Sequence, residues 1–319
     1  MIVYSLFDNI PHDPQSILTV GTFDGVHRGH QYIINAMNAL KQSKNNARTV
    51  VVTFEPHPQL VIPRKDKPPI SLLTDISERL QLLESYGVDM VVIIPFTKAF
   101  SETSSDDFIR SFIHERIGCS DIFIGYDHGF GKSREGDANT LLAMSQELKF
   151  TVHTIDALSI DQHTVSSTEI RGALKEGLLP EAFEMLGHPY FVEGMVIKGD
   201  QRGRTIGFPT ANIQTANPSK LLPKKGVYFI SSEIHGTTVY GMANIGTRPT
   251  VNDKDDIRLE VHFFDIDANL YDQSIVIWFL KYVREESMFS SLEQLKLQLH
   301  NDEIYCREII ASLENNQNQ

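Results

Sequence analysis

The order of apolar segments along the chain constrains its fold more than any other feature. Up to about residue 186, short apolar runs alternate with segments in which apolar residues recur every three or four positions, as at Ile33, Met37 and Leu40. The first pattern is typical of buried strands and the second of helices with one buried face. Strands are predicted at residues 17–21, 48–54, 89–94, 121–125 and 151–155, and helices at about 75–86, 104–117 and 138–149. This alternation predicts an α/β fold, a parallel sheet with helices on both faces that binds ligands at the carboxyl ends of its strands.

Beyond residue 187 the pattern changes to strands with little helix between them. Residues 190–197, 226–234, 239–245, 259–265 and 274–283 are strand candidates separated by turns rich in Gly, Pro and Asn. Five or more such strands predict a small antiparallel β-barrel. A final helix follows, for which Ser291 and Gln294 form a predicted capping box. Two domains are therefore predicted, residues 1–186 and 187–319, as expected for a chain of 319 residues.

Charge and cysteine content exclude several classes of partner. The 29 basic and 41 acidic residues give a net charge of −12, which repels nucleic acids and anionic membranes. The two cysteines have no CxxC spacing, and the N-terminus has no basic leader. No apolar run approaches the about 20 residues that span a bilayer. We expect a cytoplasmic protein that acts on small molecules, and the sequence does not determine its oligomeric state.

The first candidate site follows the first predicted strand. Two histidines three residues apart stand at the start of a helix, where the helix dipole and free amides attract an anion. Imidazoles and amides placed there can stabilise charge on the α-phosphate of a nucleotide under attack. The alternative is a turn with two solvent-facing histidines, but the strand before it and the three glycines favour the site. The segment reads Gly21, Thr22, Phe23, Asp24, Gly25, Val26, His27, Arg28, Gly29 and His30.

Three later segments end strands or begin helices of the same domain. Residues 53–58 read Thr-Phe-Glu-Pro-His-Pro, and the prolines present His57. Residues 125–131 read Gly-Tyr-Asp-His-Gly-Phe-Gly and include Asp127. Residues 165–171 read Val-Ser-Ser-Thr-Glu-Ile-Arg and predict a helix start. The serines alone are explained as caps, whereas Arg171, one turn into the helix, is not.

The second candidate site is a glycine-rich loop between two strands of the barrel. Gly203 and Gly207 open the backbone to phosphates, whereas Thr210 and Asn212 offer hard oxygen ligands on one side of an extended segment. Such ligands suit Mg²⁺, which keeps several waters and phosphate oxygens. A glycine-rich hairpin without a ligand is the alternative. Downstream, Glu260 projects with His262 from one strand face and can take a proton from an attacking alcohol.

These motifs resemble two enzyme classes in tandem. Residues 21–30 resemble the nucleotidylyltransferase superfamily, with its Rossmann-like domain, and the string Gly-Arg-Thr-Ile-Gly-Phe-Pro-Thr-Ala-Asn at 203–212 resembles the riboflavin kinase signature. Together, over about residues 16–308, the chain resembles the bacterial bifunctional riboflavin kinase/FMN adenylyltransferase (FAD synthetase) family. The resemblance implies that ATP phosphorylates riboflavin to FMN and then adenylylates FMN to FAD, both with Mg²⁺. His128-Gly129 and Val251 depart from the family pattern.

The resemblance also implies roles for individual residues. His27, His30 and Arg171 hold the ATP phosphates during adenylylation, and Glu260 is the base of the kinase reaction. Thr210 and Asn212 bind Mg²⁺. The residues implied to contact nucleotide or flavin are Gly21, Thr22, Phe23, Asp24, Gly25, Gly29, His57, Asp127, Ser167, Thr168, Gly203, Arg204, Gly207, Phe208, Pro209 and Arg284.

Two other functions compete with this interpretation. The first is a different small-molecule adenylyltransferase, of the nicotinate-nucleotide or phosphopantetheine type, which leaves the barrel without a purpose. The second is a non-catalytic flavin-binding protein, which does not account for the intact His27, His30, Thr210, Asn212 and Glu260.

Overall fold

The computed structural model describes residues 1–64, 68–125, 129–132, 135–160, 163–199, 203, 206–248, 256–266 and 268–317. The chain forms two compact units, Met1–Ser167 and Thr168–Gln319. The sequence places the boundary near residue 186 instead, and the assignment of residues 168–186 to either domain stays a prediction. None of the helices in the described ranges is long and apolar enough to cross a bilayer.

The first unit is built on a parallel sheet, as predicted. Its described strands are β1 (Ile2–Ser5), β2 (Ile17–Val20), β3 (Thr49–Glu55), β4 (Met90–Pro95), β5 (Asp121–Gly125) and β6 (Thr151–Ile155). They pair in the order β1-β4-β3-β2-β5-β6, each pair parallel. The edge strand β1 is absent from the sequence prediction because its four residues are half exposed and carry no clear alternation.

Helices cover both faces of this sheet because neighbouring strand residues point in opposite directions. Ile17 packs with Ile33 and Met37 on one face, whereas Leu18 packs on the other with Phe108 and Ile113. The helices are α1 (Arg28–Gln42), α2 (Pro58–Val61), α3 (Ile76–Ser85), α4 (Ser105–Asp107), which continues as a π-helical segment (Phe108–Ile117), and α5 (Ala138–Leu148), with a 3₁₀ turn at Phe100–Glu102. A capping box between Asp75 and Glu78 begins α3.

Short elements close the first unit and open the second. β7 (Ser159–Ile160) and β8 (His163–Thr164) form a small hairpin. α6 (Ser167–Glu176) and α7 (Leu179–Leu186) follow, and α7 packs on the barrel strands β9 and β14.

The second unit is a closed antiparallel barrel, as predicted. Its described strands are β9 (Tyr190–Ile197), β10 (Ala211–Thr215), β11 (Gly226–Ile234), β12 (Thr237–Arg248), β13 (Asp256–Phe263) and β14 (Ser274–Arg284), in the order β10-β13-β12-β11-β14-β9 with β9 closing on β10. β10 is absent from the sequence prediction because its five residues lack a β-branched run, and pairing with both neighbours makes it a strand. Closure removes unpaired strand edges.

The last helix, α8 (Leu292–Gln317), covers one side of the barrel. Cys306 lies in an apolar cluster with Phe229, Met242 and Phe264, flanked by residues 309–310. The predicted capping box at its start forms only in part. The Ser291 hydroxyl accepts from the Gln294 N–H at 3.3 Å, but the Gln294 side chain bonds to Ser290, whose N–H and hydroxyl both reach it.

Candidate active sites

The carboxyl end of the parallel sheet gathers the predicted segments of the first unit. β3, β2 and β5 lie side by side and end at Glu55, Val20 and Gly125. The chain leaves β2 toward β3 and returns from β4 to the other side of β2, which is where open α/β sheets form ligand clefts. The predicted contact Asp127 lies in residues 126–128, outside the described residues.

His27 and His30 meet at the start of α1, directly beyond this edge. Their rings stack with centroids 3.7 Å apart and planes inclined by 17°, and the Phe23 ring lies 4.7 Å from that of His30. The first-turn N–H groups of α1, which a helix cannot satisfy itself, lie at the same place. A Cβ on Gly29 would come within 3.2 Å of the His27 ring, so a larger residue there would press on the pair.

The loop that carries the histidines is held by Asp24, which is completely buried. Its carboxylate accepts from the N–H groups of Leu73 and Thr74 at 3.2 and 2.9 Å and from the Thr74 hydroxyl at 3.2 Å. That hydroxyl also accepts from the Gly25 N–H at 2.9 Å. Gly25 has a φ of +84°, which glycine adopts at little cost. Asp24 therefore shapes the loop from within, a role that the motif alone does not reveal.

Gly21 and Thr22 prolong β2 through their backbone. The Gly21 N–H donates to the Val52 carbonyl at 3.0 Å, and the Thr22 carbonyl accepts from the Thr53 hydroxyl at 3.2 Å. Both residues thus lie beside the end of β3, where the histidine loop (residues 21–30) begins.

Arg79 is a residue of this region that the sequence motifs do not predict. It lies on the first turn of α3 and is completely buried. Its Nη1 donates to the Thr53 hydroxyl at 3.2 Å and to the Phe54 carbonyl at 3.1 Å, and its Nη2 lies 3.7 Å from Oε2 of Glu55. The sequence offers one weak hint. The capping box of Asp75 and Glu78 marks where α3 begins and so places Arg79 on its first turn.

The electrostatic environment keeps His30 uncharged at neutral pH. Burial lowers the pKa of His30 well below its usual 6.5, and repulsion by His27 and by Arg79 lowers it further. Its Nδ1 is buried and has no hydrogen-bond partner among the described residues. Burial raises the pKa of the Glu55 carboxyl, against the opposing effect of Arg79.

The remaining predicted residues of the first motifs lie in two places: His57 and Ser167 belong to the first compact unit, and Thr168 and Arg171 belong to the second. His57 is buried and caps α2, because its Nδ1 accepts from the Gln59 N–H at 3.1 Å. The Ser167 hydroxyl donates to the Asp24 carbonyl at 3.0 Å, which ties the start of α6 to the histidine loop. Thr168 and Arg171 follow on α6 within the second compact unit, and their contacts with ATP stay predictions.

Three polar side chains form a row across the barrel. Asn212 on β10 lies directly opposite Glu260 on β13, which in turn lies opposite Asn244 on β12. Opposed residues of antiparallel strands project from the same face with about 5 Å between their Cβ atoms. Leu259 and Val261 are buried on the other face. The register therefore joins the predicted ligand Asn212 to the predicted base Glu260 and adds Asn244, which motif reading missed.

The glycine-rich loop packs against this row. A Cβ on Gly199 would collide with the Asn212 carboxamide, so glycine leaves the space that the side chain occupies. The Gly203 carbonyl accepts from the Phe208 N–H at 2.9 Å. Gly207 has a φ of +86°. Arg204 lies outside the described residues.

His262 supports the end of the loop that carries Thr210. Its Nδ1 lies 2.8 Å from the carbonyl oxygen of Pro209, and its ring lies 5.2 Å from that of Phe208. The predicted cation ligand Thr210 is the next residue along the chain.

Arg284 at the end of β14 is held within the protein. It donates from Nε and Nη2 to the Asp302 carboxylate at 2.7–3.0 Å and from Nη1 to the Glu285 carbonyl at 3.0 Å. Nearby, a Cβ on Gly246 would meet both the Glu286 carboxylate and the Asn244 carboxamide. Glu286 therefore adds a second carboxylate beside the row.

Two family models match the chain in tandem. FAD synthetase matches residues 9–169, and riboflavin kinase matches residues 186–310. A protein of Listeria monocytogenes, named bifunctional riboflavin kinase/FMN adenylyltransferase, is 37% identical over 302 residues, 95% of each chain. The chain belongs to this family. Other members of the bifunctional family are similar to it: that of Escherichia coli K12 is 37% identical over 310 residues, 95% of this chain and 96% of the relative, and that of Bacillus subtilis is 35% identical over 292 residues, 90% of each.

A solved structure is similar over the whole length of this family member. It is described as a macrolide-efflux protein from Streptococcus pneumoniae, superposes with a TM-score of 0.85 at 29% identity, and covers 96% of this chain and 99% of its own. The likeness therefore covers both the α/β unit and the barrel.

Proposed function

We propose that this chain makes FAD from riboflavin in two ATP-dependent steps, one for each family module. The observation that carries the proposal is that two separate family models lie in tandem, each over one of the two modules that carry the candidate sites. A different adenylyltransferase would use only the first module. A carrier would need neither the histidine pair nor the row with Glu260.

The adenylylation step belongs to the histidine loop. A phosphate oxygen of FMN attacks the α-phosphorus of ATP, the bond to the bridging oxygen breaks, and pyrophosphate leaves. His27, His30 and the first-turn amides of α1 meet the negative charge that grows on the phosphoryl oxygens. Arg171, Ser167 and Thr168 hold the ATP phosphates in this proposal, and Gly21, Gly25 and Gly29 let the nucleotide approach the backbone.

The kinase step belongs to the barrel row. The primary hydroxyl of riboflavin attacks the γ-phosphorus of ATP, its proton passes to Glu260, and ADP leaves. The buried Asn212, opposite Glu260, lies where it can hold a cation beside the base. Gly207, Phe208 and Pro209 belong to the glycine-rich loop that leads into β10.

Mg²⁺ fits the oxygen donors of this row. The described residues contain no cluster of three or more His, Cys, Asp or Glu that could hold a metal by itself. That suits Mg²⁺, which takes one or two protein ligands together with waters and phosphate oxygens. Gly199 leaves space for the Asn212 carboxamide, and Thr210 supplies a hydroxyl ligand in this proposal. When bound, Mg²⁺ neutralises charge on the transferring phosphates. We place the enzyme in the cytoplasm because its two cysteines are free thiols, as is usual in a reducing compartment.

Product analysis by mass tests the proposal. The purified chain is given Mg-ATP with riboflavin, with FMN, or with nicotinate mononucleotide or phosphopantetheine. We expect FMN and ADP, then FAD and pyrophosphate, and no reaction with the last two. Replacement of His30 by Ala should slow FAD formation by about 10²–10³-fold and spare FMN formation. Persistent absence of both flavin products would overturn the proposal.

A further inference from the structure

The buried guanidinium group of Arg79 is costly and calls for an explanation. Arginine stays charged in proteins, and taking a charge out of water is unfavourable unless it is well paired. Arg79 is completely buried, yet its nearest carboxylate, Glu55, lies 3.7 Å away. It also stands on the first turn of α3, where the helix dipole disfavours a cation. Stability alone does not account for a cation at this place.

The hydrogen bonds of Arg79 join α3 to the end of β3. Nη1 donates to Thr53 and Phe54, and Thr53 in turn donates to the Thr22 carbonyl at the start of the histidine loop. Nε and Nη2 have no hydrogen-bond partner within the described part of the chain. The guanidinium group therefore braces the end of β3 with Nη1, and its Nη2 lies 3.7 Å from the Glu55 carboxylate.

The positive charge of Arg79 also acts on His30. Arg79 is one of the groups that lower the pKa of this imidazole, after burial and after His27. The Nδ1 of His30 is likewise buried and unpaired among the described residues. Both α1 and α3 thus carry a buried polar side chain with unsatisfied hydrogen-bonding atoms among the described residues.

We propose that Arg79 is a positioning residue for adenylyl transfer, which holds the end of β3 and, through Thr53, the start of the loop that carries His30. Because Arg79 is completely buried and bonds to Thr53 and Phe54, it acts through these contacts. His30 then serves as an uncharged N–H donor toward the ATP α-phosphate. An uncharged ring can stack on His27 at 3.7 Å, whereas two imidazolium rings would repel each other. The inference rests on the proposed role of His30 in adenylylation.

The charged groups around this region set the expected direction of change. His27 and Arg79 act on His30 directly, and Asp24, Asp75 and Arg79 act on Glu55. When the Arg79 charge is removed, only two effects still oppose protonation of His30, namely its burial and repulsion by His27. The imidazole should then gain a proton at a higher pH than in the wild type.

Replacement of Arg79 by Gln tests the proposal with two readouts. Nuclear magnetic resonance of histidine labelled with ¹⁵N, assigned with His30→Gln, follows the ring and needs no substrate. We expect His30 to stay uncharged to the acid limit of folding in the wild type and to gain a proton within the pH range of the folded protein in Arg79→Gln. The kcat for FAD formation from FMN should fall about 10- to 100-fold with its acid limb displaced to higher pH, while KM for ATP changes less than about threefold. Riboflavin phosphorylation by the same polypeptide should stay unchanged.

Arg48→Gln is the matched control. Arg48 precedes β3 at the opposite end of the sheet and bonds to Ser16 and Pro11 at 2.9 and 2.6 Å. Its loss should lower stability without moving the His30 titration or the pH profile. Equal behaviour of the two variants would reduce Arg79 to a structural residue and overturn the proposal.

Arg79→Lys decides the matter should Arg79→Gln fail to fold. Lysine retains a positive charge, so His30 should stay uncharged and kcat should fall less than in a variant without charge. Titration of His30 near its ordinary 6.5 in this variant would contradict the proposal. If the wild type forms no FAD, the proposed function fails, whereas the resonance experiment still reports whether Arg79 controls His30.

Discussion

Arg284 and Asp302 join the last barrel strand to α8 through a fork-shaped ion pair. The Asp302 side chain is 3% exposed and that of Arg284 is 21% exposed, with Nη2 and Oδ2 2.7 Å apart. The pair is therefore protected from water on the carboxylate side. Removing one partner leaves the other charge uncompensated in a dry place.

Asp302→Asn should consequently destabilise the barrel by about 2–4 kcal/mol. Trp278, the one tryptophan of the chain, lies on β14 and reports unfolding of this unit by fluorescence in urea. The comparison variant is Arg307→Gln on the same helix, whose pairs with Asp265 and Glu303 are more exposed. That change should cost less than about 1 kcal/mol. Equal losses of unfolding free energy in Asp302→Asn and Arg307→Gln would show that burial does not strengthen the Arg284–Asp302 pair.

The Asp24–Thr74 contact should couple loop shape to adenylylation. Asp24→Asn turns one acceptor into a donor that faces the N–H groups of Leu73 and Thr74, so the first unit should lose about 1–3 kcal/mol. FAD formation should fall as the histidine loop loosens. A double-mutant cycle with Thr74→Val should give a coupling energy of at least about 0.5 kcal/mol. Additive losses would show that the two side chains act independently.

Glu260→Gln should separate the two activities. The amide keeps the shape of the side chain but cannot accept the riboflavin proton, so FMN formation should slow by about 10²–10⁴-fold. FAD formation from supplied FMN should be unchanged. Glu233→Gln, at an exposed position on β11, is the matched control and should keep both rates. A wild-type kinase rate in Glu260→Gln would remove Glu260 from the mechanism.

The first unit should lose stability in acid because of Asp121. Burial raises the pKa of this carboxyl, but hydrogen bonds from Lys44, Ser120 and His153 outweigh it, and the pKa lies below the usual 3.8. A group whose pKa is lower in the folded than in the unfolded state stabilises the fold at pH values above its unfolded pKa. That stabilisation is lost as the pH falls through the pKa of the folded state. Unfolding free energies from urea titrations should therefore drop below about pH 4, and less steeply in Asp121→Asn. Parallel curves for the two proteins would contradict this assignment.

Both cysteines should resist modification in the folded protein. Cys119 and Cys306 are buried, and burial raises the pKa of each thiol to about 12. The thiolate is the reactive form, so a disulfide reagent should react slowly before unfolding and rapidly in urea. Fast reaction of either thiol in the native enzyme would show that the segment around it opens locally.

The sequence alone determined the two-module organisation, most of the strands and helices, and the motif residues. These features depend on local periodicity and on residue types at short spacing. His27 and His30 could be paired because a helix start brings residues three positions apart together. The chemistry of Glu260 and Asn212 was predicted from the family motifs, although the direct opposition of these residues was not.

Tertiary structure decided what depends on contacts between distant segments. The four residues of β1 became a strand by pairing with β4, and barrel closure made β10 a strand that places Asn212 opposite Glu260. Arg79 has the pattern of a solvated helix residue in the sequence, and only the packing of α3 against the end of β3 buries its charge. Burial and register arise from long-range packing, which short-range patterns do not encode.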